Sequence, residues 1–484
     1  MEAEGTMAVT SATETERKYE ATGPLPELTG TGPVAAVRGP DAAPAVLEAR
    51  YYDTEDRRLT ADGITLRRRT GGDDPGWHLK LPVDGDTREE IRAPHSEHPP
   101  DGLTDLIRSR TRGAPLVPLV ELRTERETRL LLDAAGQPLA EVVRDRVDAL
   151  RGPRAAHWVE YEVELRPAAG AGLLDLIEER LTAAGLPRSQ APSKAARALA
   201  ATATPPPAPR PGPALPAGSA GERVMAYVRR QVRLIVELDP AVRRGVPDSV
   251  HRMRVATRRL RSALRSQWAV LDRERTGPIA GELRRLGAEL GVDRDREVLA
   301  RRLGRRLSEL EPELRRGPLE QRVAAYTDRP RAEASVRALD SARHLDLLTS
   351  LDALLTDPPL LPDAYWPAGP VLVVALRHDL RRMERRLRAA RRTPPGPDRD
   401  AAWHAARKAA KRARYAAETA GKRKRAKKLA QVQRVLGQHQ DSVQARAALL
   451  RIAAAAEAAG EASFSYGVVY EREHGLAEGY EREL

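Results

Sequence analysis

Two helical segments of the sequence carry cationic side chains in one repeated spacing. In residues 248–265, a rotation of about 100° per residue brings five cations onto one narrow stripe: His251, Arg254, Arg258, Arg261 and Arg265. A second segment, beginning at Trp403, repeats the spacing with His404, Arg407, Lys411 and Arg414. Like charges on neighbouring turns repel, and a single stripe is usually a solvated face. Because the stripe occurs twice, we predict two related helical units whose stripes face one shared anion-binding groove.

Charged residues also alternate along predicted strands of the N-terminal part. Within each predicted strand the charged residues share one face. These residues are Glu14, Glu16 and Lys18 on the first strand, Arg67 and Arg69 on a second, Lys80 on a third, and Glu160, Glu162 and Glu164 on a fourth. Period-two alternation alone indicates only that one face of a sheet is wet. If the sheet closes, however, the charged faces form a polar lumen with acid on one wall and base on another. Carboxylates suit Mg²⁺ or Mn²⁺ and basic side chains suit phosphate oxygens, so such a lumen would suit a metal-bound polyphosphate chain.

The charge of the chain is divided unevenly between its two parts. The net charge of the 484 residues is +13, but residues 1–200 hold 27 basic and 34 acidic residues and the remainder holds 55 and 35. A basic C-terminal part indicates a polyanionic partner. The chain has no cysteine, which excludes disulfides and thiolate metal sites and fits a reducing cytosol. No apolar run is long enough for a transmembrane helix, so we predict no membrane partner.

A Pro-rich segment, residues 201–218, separates two regions of different pattern. Strand signals dominate before it, at 13–20, 46–52, 63–69, 76–82, 87–92, 119–132, 138–148 and 157–166. Two short helices are predicted near 172–185 and 192–200, and the chain after the linker is helical in pattern. The sequence therefore predicts an α+β multidomain protein with a β-rich N-terminal part and an all-α C-terminal part.

Residues 12–200 resemble the CYTH domain of the triphosphate tunnel metalloenzyme superfamily. The resemblance is carried by the ExExK pattern of residues 14–18, by 51–54 (YYDT), 66–69 (LRRR) and 77–80 (WHLK), by the glutamate run 160–164, and by Ser193-Lys194. It implies an eight-stranded antiparallel β tunnel with flanking helices that hydrolyses triphosphate-type substrates with a divalent metal.

The resemblance also assigns roles to individual tunnel residues. Glu14, Glu16 and Lys18 take the catalytic positions, with the two glutamates on the metal side. The predicted metal carboxylates are Glu14, Glu16, Asp145, Glu162 and Glu164, and the predicted substrate contacts are Arg67, Arg69, Lys80, Arg126 and Lys194. Members often carry two basic residues on the strand of Arg126, but position 124 is Thr here, which leaves one phosphate contact unassigned.

Residues 219–470 resemble the CHAD domain, a helical domain with conserved histidines, in two repeats at about 219–355 and 365–470. The match rests on His251-x-x-Arg254 through Arg261, Leu290-Gly291 to Asp295, His404-x-x-Arg407 through Tyr415, and Gln433 to Asp441. It implies a pair of antiparallel four-helix bundles that binds inorganic polyphosphate between them. All nine stripe cations are predicted polyphosphate contacts, whereas Arg259 and Arg412 fall off the stripes and are expected to serve packing or long-range attraction.

We therefore predict a cytoplasmic protein, with association with polyphosphate granules as an option, that combines a metal-dependent triphosphate or polyphosphate hydrolase with a polyphosphate-binding unit. A non-catalytic polyphosphate-binding protein is the first alternative. A nucleic-acid binder is the less favoured one, because the basic part lacks a recognised motif and its Trp268 and Trp403 are expected on the apolar edge of the stripes.

Overall fold

The computed structural model describes residues 9–40, 43–170, 172–202, 214–327 and 333–484, and for residues 292–295 and 333 it describes the backbone alone. The chain forms two compact units, Met1–Ala208 and Pro209–Leu484. Most of the predicted linker, residues 203–213, lies outside the described residues, as does the side chain of Asp295.

The described part of the first unit contains nine strands, all paired in antiparallel fashion. They are β1 (Thr10–Glu20), β2 (Ala36–Arg38), β3 (Ala45–Asp53), β4 (Thr65–Thr70), β5 (Gly76–Asp84), β6 (Thr87–Ala93), β7 (Val117–Leu132), β8 (Pro138–Arg151) and β9 (Arg154–Leu165). Eight of them follow the order β7-β3-β4-β5-β6-β1-β9-β8, and β8 pairs back with β7. The sheet therefore closes, which confirms the predicted eight-stranded antiparallel tunnel. The short β2 pairs with β7 beyond the end of β3.

Three helices cover the outside of this barrel: α1 (Arg58–Ala61), α2 (Asp101–Thr111) and α3 (Leu173–Ala183). The fourth, α4 (Lys194–Thr202), packs on the lumen face of β7 and β8, against Leu122 and Ala149. Successive strand residues point to opposite faces, so elsewhere in the barrel the apolar residues pack outward and the charged residues face the lumen. On β9, Tyr161 and Val163 are buried in a cluster with Ile177 and Leu181 of α3. Their neighbours Glu162 and Glu164 line the cavity inside the barrel. Two apolar cores of this unit thus lie outside the barrel wall, a third lies inside it under α4, and the cavity itself is charged.

The described part of the second unit is all-helical, as predicted. Its α-helices are α5 (Ala220–Arg243), α6 (Ser249–Ser266), α7 (Arg273–Glu289), α8 (Gly291–Ser308), α9 (Leu319–Thr327), α10 (Glu333–Asp340), α11 (Ala342–Thr356), α12 (Ala368–Arg392), α13 (Pro397–Thr419), α14 (Arg423–Ala458) and α15 (Phe464–Arg482). Among the described residues, no helix combines the length and the apolar character that crossing a membrane requires.

Three apolar clusters hold these helices together. The first joins α5, α6, α7 and α11 with the start of α12. The second joins the rest of α12 with α13 and the first part of α14. In the third, Leu303 and Leu307 of α8 pack with Leu449 of α14 and Val469 of α15, so helices from both predicted repeats share one core. The fully buried Glu473 of α15 supports this junction through Arg302 of α8, 2.7 Å away.

Candidate functional sites

The barrel encloses a cavity of about 460 Å³ whose lining is dominated by charged side chains. The predicted tunnel residues on its surface are Glu14, Glu16, Lys18, Arg67, Arg69, Lys80, Arg126, Glu162, Glu164 and Lys194. Asp145 is fully buried and does not line the cavity, but it lies on the lumen face of β8, covered by Arg126 and Lys194. The structure therefore brings ten of the eleven predicted tunnel residues to one cavity and the eleventh into contact with two of them.

Three of the predicted metal carboxylates converge in this cavity. Glu14, Glu16 and Glu164 each offer an oxygen, and these three oxygens lie within 4.8 Å of one another. Strand register explains the convergence, because β1 pairs with β9 so that Glu16 lies directly opposite Glu164, and Glu14 lies one strand repeat away on the same face. Hard oxygen donors at this spacing fit a divalent cation such as Mg²⁺ or Mn²⁺.

Protonation differs within this three-carboxylate group. Burial opposes ionisation of Glu16, but Lys18 and Lys80 outweigh it and lower the pKa of Glu16 to about 2. Burial, together with the neighbouring Glu14, raises the pKa of Glu164 to about 7. Ionisation of the third carboxylate, Glu164, is thus costly when no cation is bound. A divalent cation held by the three carboxylates would offset their repulsion, as in a metal site.

The other two predicted metal carboxylates, Asp145 and Glu162, do not join that group. Arg126 holds Asp145 with two hydrogen bonds of 2.8 and 2.6 Å and reaches Glu162 at 3.0 Å. Lys194, at the start of α4, lies 2.8 Å from Asp145 and 2.5 Å from Glu162. Although burial opposes ionisation, these cations keep the pKa of Asp145 and Glu162 below the ordinary range. The structure thus places both carboxylates in an ion-pair network, which departs from the prediction of five carboxylates around the metal.

The basic wall faces the three-carboxylate group across the cavity. Lys80 Nζ lies 2.6 Å from Glu14, and Arg67 contacts the Tyr51 hydroxyl at 3.3 Å. Burial and the nearby guanidinium groups of Arg67 and Arg126 lower the pKa of Arg69 to about 9. Crowded cations of this kind are stabilised by an anion bound between them. On β7, Arg126 is flanked on the lumen side by Thr124, which is buried, and by Thr128, which lines the cavity.

Sequence analysis missed several charged residues of the tunnel. Glu90 is 1% exposed and contacts His78 at 3.1 Å, Arg67 at 3.5 Å and Lys80 at 3.7 Å. Burial lowers the pKa of His78 to about 4, so its imidazole is neutral near pH 7. Arg88, Glu90 and Arg92 alternate along β6 and all line the cavity. The period-two signal for this strand was therefore present in the sequence.

In the second unit, the two cationic stripes meet where α6 packs against α13. Arg258 of α6 donates from Nε to the hydroxyl of Tyr415 on α13 at 2.9 Å. The guanidinium groups of Arg258 and Arg414 lie 6.0 and 5.9 Å from the ring of Tyr415. Lys411 lies in the electrostatic field of Arg407, Arg258 and Arg254, with Asp441 as its attractive neighbour. Burial and these arginines lower the pKa of Lys411 to about 6. The predicted shared groove is thus a region where like charges from two helices converge.

The remaining stripe residues occupy the edges of this groove. His251 and Arg407 are half-buried, and Arg254 donates to the carbonyl of Gly291 at 3.2 Å. His404 hydrogen-bonds Gln440 of α14, and burial lowers its pKa. Arg261 lies near Arg265 and Arg284, and burial with these two cations lowers its pKa. Among the described residues, Arg258, Arg261 and Arg265 form no salt bridge.

The off-stripe arginines behave differently, as their helical phase predicts. Arg259 forms an ion pair with Glu418 at 3.1 Å, and Arg412 forms one with Asp379 at 2.8 Å. Arg414, a stripe residue, also pairs with Glu418 at 3.0 Å. Trp403 is buried as expected, but Trp268 is 39% exposed and stacks near Arg273, so its expected place on the apolar edge is wrong.

Comparison with known proteins assigns both units. The CYTH domain profile matches residues 12–199 and the CHAD domain profile matches residues 226–450. An uncharacterized protein of Mycobacterium tuberculosis H37Rv, Rv2226, is 37% identical over 497 aligned residues that cover 97% of this chain and 94% of that protein. Among solved structures, the CHAD domain from the plant Ricinus communis is 25% identical and covers 56% of this chain and 95% of its own, with a TM-score of 0.42. PptA from Streptomyces chartreusis is 21% identical, with coverage of 54% and 96% and a TM-score of 0.44.

The chain therefore belongs to the family of proteins in which a CYTH domain precedes a CHAD domain. CYTH superfamily members include triphosphatases and adenylate cyclases, and the CYTH family depends on divalent metals. The CYTH superfamily binds triphosphate substrates.

Proposed function

We propose that the tunnel hydrolyses a phosphoanhydride bond of a triphosphate or of a polyphosphate end. The observation that carries this proposal is the opposition, within one cavity, of the Glu14, Glu16 and Glu164 oxygens to a wall of buried cations. A phosphate chain combines groups that suit both sides, because its oxygens bind arginine and lysine and also share a divalent cation with carboxylates. In the described residues, no Ser-His-Asp arrangement lies in the cavity, which favours direct attack by water over a covalent intermediate.

The residues that would hold Mg²⁺ or Mn²⁺ are Glu14, Glu16 and Glu164, whose convergence and shifted pKa values fit a hard cation. When bound there, the ion supplies positive charge to the phosphate oxygens. Arg67, Arg69 and Arg126 bind and orient the chain, and Lys80 and Lys18 offset the charge that grows on the departing oxygen. Water attacks the terminal phosphorus as the P–O bond to the rest of the chain breaks, and a lumen carboxylate orients it.

Chelation of divalent ions is the direct test of this proposal. We expect the protein to release phosphate from tripolyphosphate in the presence of Mg²⁺ or Mn²⁺, and to lose at least about 10²-fold of that rate after treatment with EDTA, because a bound metal contributes several kcal/mol to the transition state. The activity should return when the metal is restored. Tight tripolyphosphate binding without phosphate release under any of these conditions would instead support the non-catalytic alternative.

We further propose that the second unit binds inorganic polyphosphate in the groove between α6 and α13. Support comes from the crowding of Lys411, Arg254 and Arg258, and from the absence of carboxylate partners for Arg258, Arg261 and Arg265 among the described residues. A flexible chain of closely spaced negative charges would neutralise Arg258, Arg261 and Arg265 and relieve the repulsion at Lys411. Double-stranded or single-stranded nucleic acid is the rival ligand, and competition at equal phosphate concentration separates the two: displacement of polyphosphate by DNA or RNA would contradict the proposal.

The shifted Lys411 predicts that polyphosphate binding depends on pH. With a pKa of about 6, Lys411 is mostly neutral at pH 8 and mostly charged below pH 6. An anionic ligand favours the charged form, so binding takes up a proton and the affinity rises as the pH falls, by at most about tenfold per pH unit for each proton taken up. Affinity measurements from pH 8 to pH 5.5 on the wild-type protein test this expectation.

Two variants isolate the contribution of Lys411 from that of the groove histidines. Lys411→Met should weaken binding at low pH and flatten its pH dependence, whereas Lys427→Met, at an exposed position of α14, should leave the pH dependence unchanged. An unaltered pH profile in Lys411→Met would show that this lysine does not titrate on binding.

A further inference from the structure

The exposed side of α12 carries a second cationic stripe, separate from the groove. Five arginines recur at intervals of four, four, three and four residues, so they share one face of the helix: Arg377, Arg381, Arg385, Arg388 and Arg392. All five are exposed. The opposite face, with Leu376, Met383 and Ala390, is buried against Trp403 and Ala410 of α13. At 1.5 Å per residue the stripe is about 22 Å long, close to the length of the predicted stripe on α6.

This stripe has almost no carboxylates of its own. None of the five arginines forms a salt bridge with another described residue, and the acids of α12 are Asp379, which is buried, and Glu384. Neighbouring arginines on successive turns repel one another. An ordinary surface helix reduces that repulsion with acids at i±4 positions, as Arg301 and Glu297 do on α8 at 2.6 Å. On α12 the exposed Glu384 lies four residues before Arg388 but forms no salt bridge with it. One exposed acid beside five arginines leaves this face with a strong positive potential.

A buried polar junction connects α12 to the end of the groove. Arg412 of α13 lies 2.8 Å from Asp379, and its Nε donates to the Ser266 hydroxyl at 3.0 Å. Ser266 in turn donates to Asp379 at 2.8 Å, and Arg412 also donates to the carbonyl of Arg265 at 3.2 Å. The middle of α12 is thereby fixed beside the C-terminal end of α6. Arg265, the last cation of the α6 stripe, is exposed at that point.

We propose that the arginine face of α12 is a second binding track, which takes the part of a long polyphosphate chain that extends beyond the groove at Arg265. The inference rests on the proposed binding of polyphosphate in the groove. A short chain is held by the groove alone, whereas a long chain engages both surfaces, and the second interaction is intramolecular and therefore gains affinity from effective concentration. Since α12 contains no Phe, Tyr or Trp, the track lacks the large aromatic side chains on which single-strand binders stack bases, and this favours an inorganic chain over a nucleic acid.

The test compares a short polyphosphate that fills only the groove with one several times longer, using the full-length protein. The five arginines are replaced together by glutamine, which keeps helix propensity and removes their mutual repulsion, so the fold should be retained. The matched control replaces five cations of the exposed run at the start of α14 by glutamine: Arg423, Lys424, Arg425, Lys427 and Lys428. Both variants lose the same charge, so any difference between them reports position.

We expect the ratio of long-chain to short-chain affinity to fall at least tenfold in the α12 variant and to stay within about twofold of wild type in the control. The slope of log affinity against log salt for the long chain should also become shallower by about 0.7 for each phosphate that the variant no longer neutralises. Unchanged long-chain binding in the α12 variant, with short-chain binding intact, would overturn the track and leave the groove proposal standing. An equal loss in both variants would assign the effect to net charge and overturn the track as well. Failure of wild-type protein to bind either chain would overturn both proposals.

Discussion

Glu14→Gln and Glu16→Gln variants are expected to lose about 10²- to 10³-fold of the metal-dependent phosphate release, the range seen when one preorganised electrostatic interaction is removed from an active site. Glutamine keeps the size and shape of each side chain, so the change is confined to charge. Glu16 carries the larger expected effect, because its pKa of about 2 makes it the firmly ionised member of the group that also includes Glu164.

A control variant separates this effect from a general loss of acidic charge. Glu48→Gln removes a carboxylate from β3 at an exposed position and should retain wild-type activity. Calorimetric titration with Mn²⁺ provides a second readout, in which the Glu16→Gln variant should bind the ion more weakly than the Glu48→Gln variant. Full activity in both Glu14→Gln and Glu16→Gln would remove these carboxylates from the reaction.

Lys194→Met is expected to lower the free energy of unfolding of the first unit by about 3–5 kcal/mol, the effect of leaving a buried charge without its partner. Lys194 contacts three buried carboxylates, with Asp145 at 2.8 Å, Glu160 at 3.0 Å and Glu162 at 2.5 Å. Burial alone would lower its pKa, yet these carboxylates hold the pKa of Lys194 well above the ordinary value. The side chain therefore stays charged throughout the accessible pH range and shares with Arg126 the neutralisation of Asp145 and Glu162.

The loss of unfolding free energy in Lys194→Met should depend on pH in a defined direction. In wild type the pKa values of Asp145 and Glu162 are lowered, so both are ionised at pH 7 and their favourable pairing is lost only as the pH falls below the ordinary carboxylate range. Without Lys194 the two pKa values rise, and protonation at acidic pH relieves part of the cost. The deficit should therefore shrink as the pH falls. Chemical denaturation of the full chain, with hydrogen exchange in β8 and β9 to localise the effect, measures it.

Lys194→Arg is the appropriate comparison, since it keeps the charge. It should recover most of the stability, with any remaining loss due to the larger guanidinium group. An equal deficit in the methionine and arginine variants would indicate that packing at the start of α4, and not charge, is what the lysine provides.

Much of the barrel could be predicted because each strand alternates with period two. The eight predicted strand segments all lie within or overlap strands of the closed sheet, since their apolar residues must point to one side and their charges to the other. The short β2 was missed because three residues give no periodic signal, and its pairing with β7 depends on contacts far away in sequence. Helix α2 was missed although Leu103, Leu106 and Ile107 repeat at helical spacing, and residues 101–111 were assigned to no element.

The candidate sites could be predicted as sets of residues but not as contacts. Spacing placed Glu14 and Glu16 on one face, but only the register between β1 and β9 brings Glu164 to them and leaves Asp145 and Glu162 to Arg126 and Lys194. The pairing of carboxylates with cations depends on how side chains from three neighbouring strands contact one another. The spacing of residues in the sequence does not determine those contacts. The same limit applies to Trp268, whose exposure is decided by the chain beyond the end of α6.

The charged interior of the barrel makes its occupant part of its stability. Most globular domains are stabilised by an apolar core whose stability does not depend on a bound ligand. In this barrel, by contrast, Arg67, Arg69 and Arg126 lie close together in a charged cavity. A ligand that binds only the folded barrel at 100 times its dissociation constant adds about 2.7 kcal/mol to the unfolding free energy. Melting temperature in a panel of phosphate compounds would consequently rank candidate substrates by affinity before any turnover is measured, and the buffer anion itself becomes a variable that purification and storage must control.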